Sequence, residues 1–170
     1  VLGEKPLALS VAEADELIDA ARQADRLLAV NHLLRYSELL QTARAILQQG
    51  LLGRTLHAFF ENYAEDERLP AEHWFWQRQR SGGIFIEHAV HFFDLHRWWF
   101  GPAQVQFASS QPREGTGQTD RVFCVLRHQT GVVTWSYHAF DQPIRLDRAD
   151  HRIVCERGDI QVFGWIPTEL

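Results

Sequence analysis

Three acid–base residues, Glu87, His91 and Asp94, stand at positions i, i+4 and i+7 of an apolar stretch that follows Ser81-Gly82-Gly83. If that stretch is helical, all three project from one face, which Ile84 and Trp98 extend. A carboxylate beside an imidazole favours the charged ring and fixes its orientation, which is what a proton-transfer pair needs. The same spacing also serves a buried histidine that only needs a partner for stability. His88 and His96 raise the local histidine density and bring a metal reading into view. Yet Glu87-His88-x-x-His91 is neither the His-Glu-x-x-His order of zinc peptidases nor its inverse. His88 also lies about 100° around the helix from Glu87. No metal ligands are assigned here, although His88 and His91, three apart, keep a metal-dependent hydrolase as a third reading.

A second candidate is Glu4-Lys5-Pro6. A lysine at the end of a buried parallel strand lies at the carboxyl edge of its sheet, where open α/β folds bind ligands. Pro6 forces a turn, with a cis bond as one route. A solvated lysine at a strand end is the plainer alternative. Trp74, Trp76 and Tyr63 are candidate pocket walls, and aromatic residues serve as core equally readily.

The elements that must position these groups follow from periodicity. Val1 to Ala8 reads as the end of a buried strand. Ser10 and Glu13 form a capping box that opens a helix to about Ala24, with Ala14, Leu17, Ile18 and Ala21 on one face. Leu27 to Val30 is a short buried strand, so the chain begins as a βαβ unit with parallel strands. Ser37 to Gln49 gives a second helix, with Leu40, Ala43 and Leu47 aligned and Gly50 closing it. Thr55 to Tyr63 reads as a strand, followed by the acidic Glu65-Asp66-Glu67 and the aromatic cluster His73 to Trp76. Gly83 opens a long helix that runs to Trp99 and stops at Gly101-Pro102. Strands are expected at Gln104 to Ser109, Arg121 to His128 and Val132 to Phe140, the last two as a hairpin around Gln129-Thr130-Gly131. Arg152 to Glu156 and Ile160 to Phe163 make another hairpin. The fold class is α+β, a mostly antiparallel open-faced sheet packed on helices, preceded by a βαβ piece.

Composition narrows the classes. The 170 residues are 45% hydrophobic and 23% charged, with a net charge of -5, ordinary for a globular protein and without the basic bias of a nucleic-acid or membrane-surface binder. No apolar run approaches the ~18 residues of a membrane span. Cys124 and Cys155 read as two free buried thiols of a reducing, cytoplasmic compartment.

The ordered set is more specific than its members. Glu4-Lys5-Pro6, then Arg35-Tyr36, Gly50 and Gly53, Trp74, Gly82-Gly83, an acid four before a histidine and seven before an aspartate, then Gly101 occur in that order. This resembles the glucose–fructose oxidoreductase / inositol dehydrogenase (Gfo/Idh/MocA) family across nearly the whole stretch to Gly101. The resemblance implies a Rossmann domain followed by a C-terminal α/β domain whose open sheet often serves oligomerisation. On that alignment residues 1–31 are the tail of the Rossmann-like domain, and residues 32–170 are the catalytic and oligomerisation domain. It implies NAD or NADP as cofactor, a sugar, polyol or related hydroxy/keto compound as substrate, and a homo-oligomer built through the sheet. Lys5, with Glu4 and Pro6, then lies near the nicotinamide. Glu87 and His91 serve the substrate hydroxyl, His91 as base and Lys5 as the group that steadies the oxyanion. Trp76, His88 and Asp94 are further substrate-side candidates. Two departures stand out: the family's acid is usually aspartate where Glu87 stands, and its neighbour is usually small or apolar where His88 stands.

A dinucleotide fingerprint is missing. The nearest match, Gly115-Thr116-Gly117-Gln118-Thr119-Asp120, ends in an acid and precedes a β hairpin, so it reads as a loop. Without a phosphate-binding helix N-terminus, these residues alone are expected to bind cofactor poorly and to lack dehydrogenase activity. A non-catalytic ligand-sensing or partner-binding member of the same fold is the alternative. Retention of both Lys5 and His91 argues against it.

Overall fold

The computed structural model describes residues 1–169, and Leu170, the last residue of the expected second domain, lies outside the described residues. The chain opens with β1 (Leu2–Gly3), α1 (Val11–Gln23) and β2 (Ala29–Val30), and β1 pairs parallel with β2. The capping box forms as the sequence dictates: Glu13 N–H donates to Ser10 Oγ at 3.2 Å, and Ser10 N–H donates to Glu13 Oε2 at 3.1 Å. The expectation of buried strands here is corrected. Leu2 is 72% and Leu27 89% exposed, and α1 buries no residue. Two-residue strands that pair only with each other make a thin layer, and Gly3, Leu28 and Val30, like Ala14, Ile18 and Ala21 of α1, are only partly buried.

After a 3-10 turn at Leu33–Tyr36 comes α2 (Glu38–Gln48), which buries Leu40 and Ala43. The rest is one six-stranded sheet of β3 (Thr55–Glu65), β4 (Ala103–Pro112), β5 (Thr119–His128), β6 (Val133–Gln142), β7 (Arg148–Cys155) and β8 (Gly158–Phe163). Its spatial order is β4-β5-β6-β3-β7-β8. All neighbours are antiparallel except β3 and β6, which run parallel from His57 beside Val133 to Ala64 beside Phe140. The chain therefore has the α+β fold expected, with a mostly antiparallel sheet on helices. Gly115 to Gln118 is the connection between β4 and β5, a loop.

Between β3 and β4 lie three helices, α3 (Arg78–Ser81), α4 (Ile84–Glu87) and α5 (Val90–Phe100). Gly82 separates α3 from α4 at φ +78°, where a Cβ would stand 2.7 Å from that of Ile86, so only glycine fits. The single helix expected from Gly83 to Trp99 is broken. Ala89 N–H donates to Ile84 O at 2.8 Å, a five-residue span, and α5 starts afresh at Val90. One extra residue in the turn re-aims everything between Glu87 and His91.

Strand alternation assigns the two faces of the sheet. Ala58, Phe60, Val122, Cys124, Thr134, Ser136, His138, His151 and Ile153 are buried on the face that carries the helices, where Phe60 stacks on Phe92 of α5 with ring centres 3.6 Å apart. Cys124 and Cys155 are both free and buried. The opposite face carries Phe59, Tyr63, Phe123, Val133, Trp135 and Tyr137, half-buried and covered by no helix among the described residues, with Phe59 stacked on Trp135 at 4.6 Å.

The core holds an unusual row of imidazoles. His88 lies 5.4 Å from His138, His96 lies 6.1 Å from His151, and Phe60 and Phe92 contact both His138 and His151. Both ring nitrogens of His138, Nε2 of His88 and His96, and Nδ1 of His151 are buried without a partner. Burial, and then the charge of neighbouring imidazoles, pushes His88 and His96 down to about 3 from 6.5, and drives His138 and His151 well below 6.5. A folded-state value below the unfolded one means that the unfolded chain binds more protons throughout that interval. Stability is therefore complete above about pH 6.5 and is lost progressively as pH falls through the interval to about 3. We expect the urea midpoint to fall steadily below that upper limit, and His151→Leu to flatten the slope. A midpoint indifferent to pH in this range would contradict a neutral imidazole core.

Candidate active site

Lys5 follows the carboxyl end of β1 and reaches across to the end of α4. Its ammonium donates to the backbone carbonyl of Glu87 at 2.6 Å and to Glu87 Oε1 at 2.9 Å. The two side chains retain only 18% and 19% of their exposure, so the ion pair is largely withdrawn from water. A solvated strand-end lysine is thus ruled out: this ammonium is gripped by both a carbonyl dipole and a carboxylate. The Lys5–Pro6 peptide is cis. Glu4, at the same edge, accepts from Asn31 Nδ2 at 3.1 Å, and Asn31 itself follows β2. The carboxyl ends of two parallel strands therefore place Glu4, Lys5, Asn31 and His32 along one edge.

His91, in the first turn of α5, is 2% exposed, and its Nδ1 has no hydrogen-bond partner. Burial first, then the charges of Lys5 and His32, push its pKa down to about 4, against the weaker pull of Asp94 and Glu4. This corrects the expected pairing of Glu87 with His91. The carboxylate serves Lys5 instead, and the ring is held neutral, because the widened turn at Ala89 separates what a regular helix would have set on one face. A neutral imidazole keeps a ring nitrogen able to accept a proton, which a charged one lacks.

Asp94 has a different task from the one expected. Both its oxygens are taken by Arg35, Nε to Oδ2 at 2.7 Å and Nη2 to Oδ1 at 2.6 Å, and His32 Nδ1 stands 3.7 Å from Oδ2. With both oxygens so engaged, Asp94 is less available to substrate, and its main effect is to clamp α5 to the turn that follows β2. His88 is also corrected. Its ring is 9% exposed and packs against Phe92, His138, Phe140 and Trp165, at the wall of the site and facing the core. Trp76 is half-buried, gives its Nε1–H to Leu69 O at 3.3 Å and lies under the Arg113 guanidinium, away from the contacts of Lys5.

The structure thus brings Lys5, Glu87 and His91 together with Glu4 close by, and sets Trp76 and His88 at the periphery. Spacing alone missed His32, Asn31 and the function of Arg35. The Arg35-Tyr36 pair within the ordered set was the available signal for the clamp. Among the described residues no three His, Cys, Asp or Glu side chains converge as metal ligands, and no helix is long and apolar enough to cross a membrane.

Comparison with known proteins agrees with this architecture. The family model described as the GFO/IDH/MocA C-terminal domain matches residues 40–161. The chain is 32% identical to the 1,5-anhydro-D-fructose reductase of Ensifer adhaerens over 148 residues, 82% of this chain and 43% of that protein. It is 24% identical to the myo-inositol 2-dehydrogenase of Thermotoga maritima over 168 residues, 92% of this chain and 49% of that protein. It spans less than half the length of these relatives. In fold it is similar to the WlbA dehydrogenase of Bordetella pertussis, solved in complex with NADH and UDP-GlcNAcA, with a TM-score of 0.85 at 23% identity over 99% of this chain and 51% of that one. The match over residues 40–161, well over half of the chain, shows that the chain belongs to the GFO/IDH/MocA family.

Proposed function

We propose that this chain carries the substrate-side half of an NAD(P)-dependent oxidoreductase acting on a sugar, polyol or related hydroxy/keto compound. Residues 1–31 are then the tail of a Rossmann-like domain, and residues 32–170 the catalytic domain. One observation carries this reading: Lys5, from the end of a parallel strand, is delivered to Glu87 at 2.9 Å, within the field of a neutral His91.

The residues fit the nicotinamide end of such a cofactor. Glu4, Lys5 and Pro6 line the carboxyl edge of β1 and β2, where open α/β folds hold ligands, and the His91 ring carries a buried Nδ1 with no hydrogen-bond partner. Bound there, the nicotinamide would supply the hydride acceptor. His91 takes the proton of the substrate hydroxyl as the carbon gives up hydride. Its lowered pKa keeps the ring neutral, and hence competent, at all pH values above about 4. Lys5 holds the developing oxyanion, because its ammonium already sits in a site poor in water. Glu87 keeps that ammonium aimed. The extra methylene relative to aspartate lets the carboxylate reach Lys5 while its own carbonyl binds the same nitrogen.

The uncovered apolar face of the sheet is read as the contact with a second copy of the chain. Trp135 stands among Phe59, Phe123 and Val133 there, an apolar patch of the kind that a soluble protein keeps covered.

Two outcomes are expected. In the full-length enzyme, His91→Ala lowers kcat/KM on a polyol by about 10²- to 10⁴-fold, the usual contribution of a general base, while substrate dissociation changes little. Equal losses in binding and rate would make His91 a packing residue. By sedimentation, Trp135→Glu shifts the assembly to a smaller species, and an unchanged species would remove the sheet face from the interface.

A further inference from the structure

Aromatic rings and carboxylates meet a second time, one side chain away from the histidine wall of the site. A cavity of about 190 Å³ opens between the end of β3 and the 3-10 turn at Trp74–Trp76. Trp74, Phe75, Trp76 and Phe140 form its walls, and Glu65, Asp66 and Glu67 form its rim. Phe75 stands edge-on to Trp76 at 4.8 Å and to Phe140 at 5.1 Å, which holds the walls as a corner and not as a closed stack. The ring of Phe140 also contacts His88, at 5.0 Å.

The charges of the rim are unequal. Asp66 is neutralised by Arg113 at 3.1 Å, and its other oxygen accepts the Arg68 N–H at 2.9 Å. The carboxylates of Glu65 and Glu67 have no ion-pair or hydrogen-bond partner among the described residues, and no lysine or arginine lines the cavity. Ring faces and carboxylates attract the same kind of ligand, since both present negative potential. Trp76 already accepts one cation, the Arg113 guanidinium 5.6 Å from its ring centre.

We propose that this cavity takes the amino or quaternary ammonium group of a cationic ligand and turns away phosphorylated or carboxylated ones. Glu65 is partly buried and Glu67 exposed, so an ammonium seated at the aromatic corner gains the ring faces together with a partly desolvated carboxylate and a solvated one. A neutral group of the same shape gains only the apolar contact. The proposal concerns binding alone, so it stands or falls apart from hydride transfer.

The test is calorimetric titration of the purified protein with choline and with its uncharged isostere, dimethylbutanol. Choline is expected to bind about tenfold more tightly, the difference that a partly desolvated cation–π and carboxylate site supports. Glu65→Gln with Glu67→Gln removes the charge and keeps the shape, and it is expected to erase that preference at an unchanged melting temperature. Trp74→Leu, which removes a ring that is 41% exposed and so spares the core, weakens choline as well. His91→Ala leaves choline affinity intact even where turnover is lost. Equal binding of the two probes, no saturable binding of choline, or indifference to the paired glutamine substitutions would overturn the proposal.

Discussion

An ammonium group withdrawn from water has to be matched, and the site is organised around matching that of Lys5. The side chain leaves one short strand of the opening βαβ unit and ends on the last residue of α4, 82 positions later in the chain. A carbonyl and a carboxylate from the same residue, Glu87, take two of its three protons. Because the helix stops there, the carbonyl of Glu87 is free to accept, which an uninterrupted helix would not allow. The break at His88-Ala89 is therefore part of the site. It turns the end of α4 toward Lys5 and lets α5 begin again with His91 in its first turn.

The same positive charge shapes the histidine. Burial first, and then the ammonium nearby, keeps His91 neutral at physiological pH, and the Arg35–Asp94 clamp holds the helix that carries it. Each group is thus set by a partner from another element: Lys5 by α4, α5 by the turn after β2, and the floor of α5 by Phe60 on β3. Beneath lies a core that spends histidines where aliphatic residues would serve, so the domain ties its stability to neutral imidazoles. The physical cost is sensitivity to acid. That property belongs to the packing and not to the reaction.

Much of this was legible in the sequence, for reasons that differ by element. The capping box of Ser10 and Glu13 is a local pattern and forms as written. The helix of Leu40 and Ala43 and the hairpins around Gly131 and Gly158 follow from periodicity and turn chemistry within a few residues. The ordered set running from Lys5 to Gly101 was enough to place the chain in its family. What stayed hidden was non-local. The parallel pairing of β3 with β6 joins residues some 76 apart, and no alternation of side chains reveals a neighbour's direction. Asp94 read as a free acid because its partner Arg35 lies 59 residues earlier. Glu87 was matched to the wrong base because a helix of constant pitch was assumed across Ala89. His88 looked available for substrate on the same assumption, and the widened turn sends it into the core.

The unity of Lys5 and Glu87 is the claim on which the rest depends, and a double-mutant cycle tests it most directly. Single-turnover hydride transfer would be measured in the full-length enzyme for Lys5→Met, Glu87→Gln and the double variant, with cofactor and substrate saturating. If Glu87 acts through the ammonium, the double variant is no slower than Lys5→Met alone, and the coupling is close to the whole effect of Glu87→Gln. Losses that simply multiply would mean that the two side chains act independently, and the half-site would have to be assembled differently.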